Sequence, residues 1–221
     1  MRASFLTKLS RRIFKPTRAK IHHIQSGNRL GHKDADDIFH EYQIQAASGK
    51  LKFRRWPMRA VSRGALLTNY FSQNSGEPYK YVGGDANTVS FDSAPEAVVK
   101  ARALIQKRIK QALNVPAEFN EVLSAAYMER QRMSFHSDNE VGLGPLVAGL
   151  SMGSPAMMHF RLHPRHDPYR EKKGILLSIV LRHGDILVMD GAGVQDYYEH
   201  TVVPENFRIA ATARQINPGH A

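Results

Sequence analysis

Ser134-Phe-His-Ser-Asp-Asn-Glu140 is the stretch on which the reading of this chain turns. In an extended strand, residues i and i+2 project to the same side, so His136 and Asp138 can reach one metal ion without strain. A third ligand must come from another strand. His200, in Tyr197-Tyr-Glu-His-Thr-Val-Val203, supplies a second imidazole. Two imidazoles and one carboxylate can occupy one face of an octahedral iron(II) and leave three positions open. The spacing alone says little: His32-Lys33-Asp34 has it too, in a basic leader with no strand pattern, and carries no metal reading.

Downstream of His200, Arg208-Ile-Ala-Ala-Thr-Ala-Arg214 alternates polar and apolar residues like a strand. Its two arginines are six apart and share a face. A guanidinium is a rigid fork of donors suited to carboxylates. Two of them near an iron centre suggest a dicarboxylate co-substrate that chelates the metal at one end.

From Tyr127 onward, strands are expected over 131–136, 146–152, 157–163, 174–181, 185–189, 195–202 and 207–213, with turns at Gly184-Asp185 and Gly191 to Gly193. Many short strands of even spacing suggest a sandwich or jelly roll. Ser93-Ala-Pro-Glu96 has the form of a capping box. It predicts a helix ending near Asn114, with Val98, Ala101, Ile105, Ile109 and Ala112 on its buried face. Phe119 to Ala126 reads as a connection into a first core strand at Tyr127. Residues 34 to 60 are mixed, with Ile38, Tyr42 and Trp56 as anchors, and 62 to 91 read as short strands and turns. The basic loop from His163 to Lys173 is expected to be exposed, with His163 and His166 solvated. The predicted class is mainly β with flanking helices (α+β).

These parts resemble the AlkB family of iron(II) and 2-oxoglutarate-dependent dioxygenases. The resemblance runs roughly from Arg63 to Gln215, through Tyr79-Lys-Tyr81, Tyr127, His136-Ser-Asp138-Asn-Glu140, Leu150 to Ala156, Gly184 to Met189, His200, and Arg208 to Arg214. It implies a double-stranded β-helix (jelly roll) core, with Fe(II) held by His136, Asp138 and His200. It also implies 2-oxoglutarate held by Arg214 at the end next to the iron and by Arg208 and Tyr127 at the far end, with O2 as the third participant. Tyr79 and Tyr81 fall in the substrate-facing lid of that family, and Asn139 and Glu140 where several members contact a flipped base. The implied activity is oxidative demethylation of alkylated nucleobases in DNA or RNA, in which hydroxylation of an N-methyl group gives a hemiaminal that releases formaldehyde. Two positions depart from the pattern. Ala125 and Ala210 stand where many members carry asparagines that hydrogen-bond 2-oxoglutarate, so weaker co-substrate binding is expected.

Composition bounds the rest. A chain of 221 residues with 42% hydrophobic content can bury one good core. There is no cysteine, which excludes disulfides and thiolate metal sites. The longest apolar stretch, around Ile175 to Leu181, is far short of the ~20 residues that span a bilayer, so no membrane partner is expected. The formal charge is +11, yet nine of the 31 Lys and Arg lie in residues 1–33, where there is no acid. Beyond that point, basic and acidic residues nearly balance. The division expected is a basic leader over 1–33, disordered or a targeting segment, and an AlkB-like domain over 34–221, acting as a monomer. An Arg-rich, acid-free leader with Phe5, Leu6, Leu9 and Ile13 at helical spacing has the pattern of a mitochondrial presequence; a mitochondrial or a nuclear location stays open. The near-neutral body also leaves open the same iron chemistry on a protein side chain, a lipid or a small metabolite, or a non-catalytic binding module.

Overall fold

The computed structural model describes residues 19–27, 29–55, 69–78, 84–139, 141–166 and 174–217. Strands are numbered in chain order. The larger sheet runs β1 (Lys20–Ile24), β10 (Ile186–Asp190), β7 (Leu143–Gly153), β12 (Arg208–Ile216), β5 (Glu121–Tyr127), β3 (Phe71–Gly76) and β2 (Arg54–Arg55). A short β4 (Thr88–Val89) lies parallel beside β3, and the other pairings are antiparallel. The smaller sheet runs β6 (Met133–His136), β11 (Tyr198–Pro204), β8 (Ala156–Leu162) and β9 (Leu177–Leu181). Three α-helices complete the described residues: α1 (Arg29–Ala47), α2 (Glu96–Leu113) and α3 (Ala192–Tyr197).

Alternation along each strand builds the layers. Ala148, Leu150 and Met152 of β7, Ile186 and Val188 of β10, Ile209, Ala211 and Ala213 of β12, and Val122 and Ala126 of β5 all join the core under α1 and α2. Their opposite neighbours turn the other way. Val147, Leu187 and Met189 pack on Met158, Phe160 and Leu181 of the smaller sheet. Helices cover one face of the larger sheet and the smaller sheet faces the other, which is the predicted jelly roll. The alanines of β12 let the helices approach closely, and each fully buried Ile or Leu contributes about 1.5–3 kcal/mol.

The predicted strands from 131 to 213 all form, with shifted ends. α2 ends at Asn114, in the left-handed conformation at φ 52°. Its start differs from expectation. Pro95 takes the cap position without a side-chain hydrogen bond, so Ser93 lies too far back to cap. Leu104 is buried and Ala112 exposed, which rotates the inner face slightly.

Other differences are larger. Phe119 to Ala126 is no mere connection: Glu121–Tyr127 is a central strand, every residue buried between β12 and β3. Residues 34 to 60 begin within α1, whose Ala35, Ile38 and Tyr42 face the sheet at helical spacing. The Tyr42 hydroxyl hydrogen-bonds the Ser124 hydroxyl at 2.8 Å. The boundary at residue 33 also moves. Lys20–Ile24 pairs with β10 along its whole length, and α1 starts at Arg29, so the folded part reaches back into the basic leader. His22 and His23 anchor that strand on Asp190 and Asp185 at 3.3 and 2.9 Å. The leader before Ala19, Trp56, and the loop after His166 up to Lys173 lie outside the described residues.

Candidate metal centre and active site

The smaller sheet brings the two histidines together. His136 and His200 are direct Cα partners across β6 and β11, with ring centroids 4.3 Å apart. Asp138 follows β6, and its backbone N–H donates to Gln195 Oε1 at 2.8 Å. Ligand atoms of His136, Asp138 and His200 all lie within 4.8 Å of one another. These are the three residues predicted from sequence, met in one place.

Their hydrogen bonds prepare them as donors to a cation. His136 Nδ1 donates to the Ser134 carbonyl at 2.8 Å, which leaves Nε2 a free lone pair. Burial, then the neighbouring His136, pushes His200 down to about 3, so its imidazole is neutral at ordinary pH. Burial would raise the Asp138 carboxyl, but Arg214 and the two histidines outweigh it and hold it at about 2. Arg214 Nε and Nη2 donate to Asp138 Oδ2 at 3.4 and 3.2 Å, while Oδ1 lies 3.7 Å from His136 Nε2. Two imidazoles and one ionised carboxylate fit a divalent iron.

The larger sheet supplies the other wall of the cavity. Tyr127 and Arg208 are partners across β5 and β12, and both line it with Arg214, Ala125, Ala210 and Ser151. Arg208 is 2% exposed; its Nη2 donates to Ser151 Oγ at 2.9 Å, and its Nε is buried with no partner. Among the described residues no carboxylate pairs with it. An orphaned donor on a buried cation is the feature an anionic co-substrate satisfies. Burial raises the Tyr127 hydroxyl to about 12, so it keeps its proton and can donate. Ala125 and Ala210 face each other in register, so both missing asparagines belong to one spot.

Of the predicted substrate residues, Asn139 is exposed on the loop after Asp138 and does not line the cavity. Tyr79, Tyr81 and Glu140 lie outside the described residues. His163 and His166 are half-buried beside the cavity's outer sheet and take no part in it, with His163 4.0 Å from Glu199. Sequence reasoning passed over Gln195, Ser151, Tyr70 and Glu121. Tyr70 packs on the Tyr127 ring at 4.8 Å. Gln195 sits on α3, where the sequence predicts a turn over Gly191 to Gly193 and a strand from 195; Gly191, at φ 102°, lets the chain leave β10 and start that helix. Glu121 had a visible signal, an acid heading an otherwise uncharged strand.

Comparison with known proteins bears on the fold and the family. No curated protein sequence matches the chain. Among solved structures, that of OsALKBH1 is 14% identical, covers 90% of this chain and 99% of its own, and has a TM-score of 0.54. A prolyl hydroxylase from Trichoplax adhaerens, in complex with a hypoxia inducible factor oxygen degradation domain peptide, is 11% identical, covers 89% and 83%, and has a TM-score of 0.52. The family model of the 2OG-Fe(II) oxygenase superfamily matches residues 24–214, strand β1's last residue through Arg214. The chain therefore belongs to the 2OG-Fe(II) oxygenase superfamily, whose cofactors are Fe(II), 2-oxoglutarate and O2.

Proposed function

We infer that this oxygenase is an AlkB-like demethylase of alkylated nucleobases in DNA or RNA. The observation that carries the reading is the arginine pair six residues apart on β12, both facing the cavity with Tyr127. That arrangement is the one the sequence shares with the AlkB family, and the likeness to OsALKBH1 supports the same fold.

His136, Asp138 and His200 would hold the iron through Nε2, Oδ1 and a ring nitrogen. When bound, iron with 2-oxoglutarate and O2 supplies the oxidation of an otherwise inert C–H bond. The protein's part is placement. Arg208 and the Tyr127 hydroxyl would take the far carboxylate of 2-oxoglutarate, and Arg214 flanks its metal-facing end. Leu123, Leu187 and Met189 keep the wall apolar, which strengthens those ion pairs by excluding water. Tyr79, Tyr81, Asn139 and Glu140 are assigned to the substrate through the resemblance.

A second reading, hydroxylation of a protein side chain, draws on the near balance of charge beyond the leader. Succinate production by iron-loaded protein, with methylated oligonucleotides or peptides, separates the two. The expected result is stimulation by methylated DNA or RNA with formaldehyde released, and background turnover in His136→Ala and Asp138→Ala. Turnover raised only by peptides would move the substrate to protein. Turnover indifferent to both would point to a lipid or metabolite, and bound cofactors without turnover to a binding module.

A further inference from the structure

Glu121 is a carboxylate with 0% exposure, and neither the ligand set nor the co-substrate residues above use it. A buried carboxylate is costly unless paired, so its partner shows its purpose. β5 and β12 set Glu121 opposite Arg214 in register. Arg214 Nη1 lies 3.4 and 3.2 Å from its two carboxylate oxygens. The other edge of the same guanidinium, Nε and Nη2, faces Asp138 Oδ2. One fork thus joins two carboxylates and sorts the oxygens of Asp138. Oδ2 is held by Arg214, and Oδ1 is left on the side of His136.

We propose that Glu121 is a positioning residue of the metal centre: it anchors Arg214 and, through Arg214, fixes which oxygen Asp138 presents to the metal. The assignment rests on the reading that His136, Asp138 and His200 hold iron. An arginine head on a long, flexible stem needs a second attachment to stay aimed at one oxygen. Glu121 provides it from a central strand, where the backbone is held on both sides. Charge acts in the same direction. With Fe(II), the 2-oxoglutarate dianion, Asp138, Glu121, Arg208 and Arg214, the buried charges sum to zero. A neutral residue at 121 leaves one uncompensated positive charge beside a cation. Geometry and charge both predict weaker metal binding.

The test is a titration of the metal-free protein with Co(II), an ion of the same charge whose visible absorption reports its ligand geometry, alongside thermal melting. Wild type is expected to bind, and His200→Ala to lose the signal, which ties it to this site. Glu121→Gln should weaken Co(II) binding by about 10- to 100-fold, as changes behind a metal ligand do, and shift the absorption bands. Glu121→Asp, which keeps the charge but draws it back, should fall between. If Glu121→Gln gives no folded protein, Glu121→Asp decides by the same readings. Wild-type affinity and spectrum in a folded variant overturn the proposal, and a lowered melting temperature beside them makes Glu121 a packing residue only. Wild type that binds no Co(II) is a different failure: it removes the metal-site reading, and this assignment with it.

Discussion

Arg208 and Arg214 lie on one face of one strand, equally buried, in opposite surroundings. Arg214 is held between the carboxylates of Asp138 and Glu121. Arg208 has a serine hydroxyl, the Tyr127 ring 5.7 Å away, and a donor with no acceptor. Negative charge is in excess at one end of the cavity and short at the other. The crowded end suits a cation and the bare end an anion. The charge at each end becomes balanced only when the two ligands arrive, so the site's selectivity is built into which charges the fold leaves locally uncompensated.

The sharpest way to break this comparison is to remove each arginine in turn. Arg214→Met leaves two buried carboxylates without a counter-charge, and the metal-free protein should lose about 3–5 kcal/mol in urea unfolding. Arg208→Met removes a cation that has no ionic partner, so metal-free stability should hold or rise. Binding of 2-oxoglutarate to the metal-loaded protein should instead weaken by about 2–5 kcal/mol, read by calorimetry. Equal losses of metal-free stability in both variants would erase the distinction.

Acid sharpens it at the crowded end. His200 sits at about 3 when folded, against about 6.5 in an unfolded chain. The unfolded chain therefore binds more protons between those values, and stability present above pH 6.5 is lost as the pH falls towards 3. Asp138, lowered from 3.8 to about 2, continues the loss below 3.8. Each group can contribute at most about 1.4 kcal/mol per pH unit. Urea midpoints of metal-free protein at pH 7.5, 5.5 and 4 should fall in that order; a flat series would contradict the burial of a neutral His200. The smallest effect belongs to the bare end. Ala210→Asn should restore one hydrogen bond worth about 1 kcal/mol, a drop of roughly fivefold in the KM for 2-oxoglutarate. An unchanged KM would mean that the spot shared with Ala125 does not touch the co-substrate.

What could be read from sequence followed from period and chemistry. The short strands from 131 onward were legible because strand alternation fixes which residues share a face, whereas the jelly roll and the meeting of His200 with His136 and Asp138 were legible through the resemblance to the AlkB family. β5 was missed because a strand buried on both faces, Glu121-Val-Leu-Ser-Ala-Ala-Tyr127, shows no alternation. α1 was missed because its buried positions are few and scattered among polar residues, and its neighbours decide its place. Glu121 was overlooked for a related reason. Its meaning depends on the register between β5 and β12, and no local pattern carries register.

The opposed placement of His136 and His200 has one more consequence. Among the described residues β6 is the outer strand of the smaller sheet, four residues long. Such a border is where a sheet frays first and where a strand from another molecule can add. An ion shared by those two histidines would latch the border to β11, joining segments far apart in the chain. Iron supply would then govern two things at once: how much protein is competent, and how much carries an open seam exposed to proteases and to self-association.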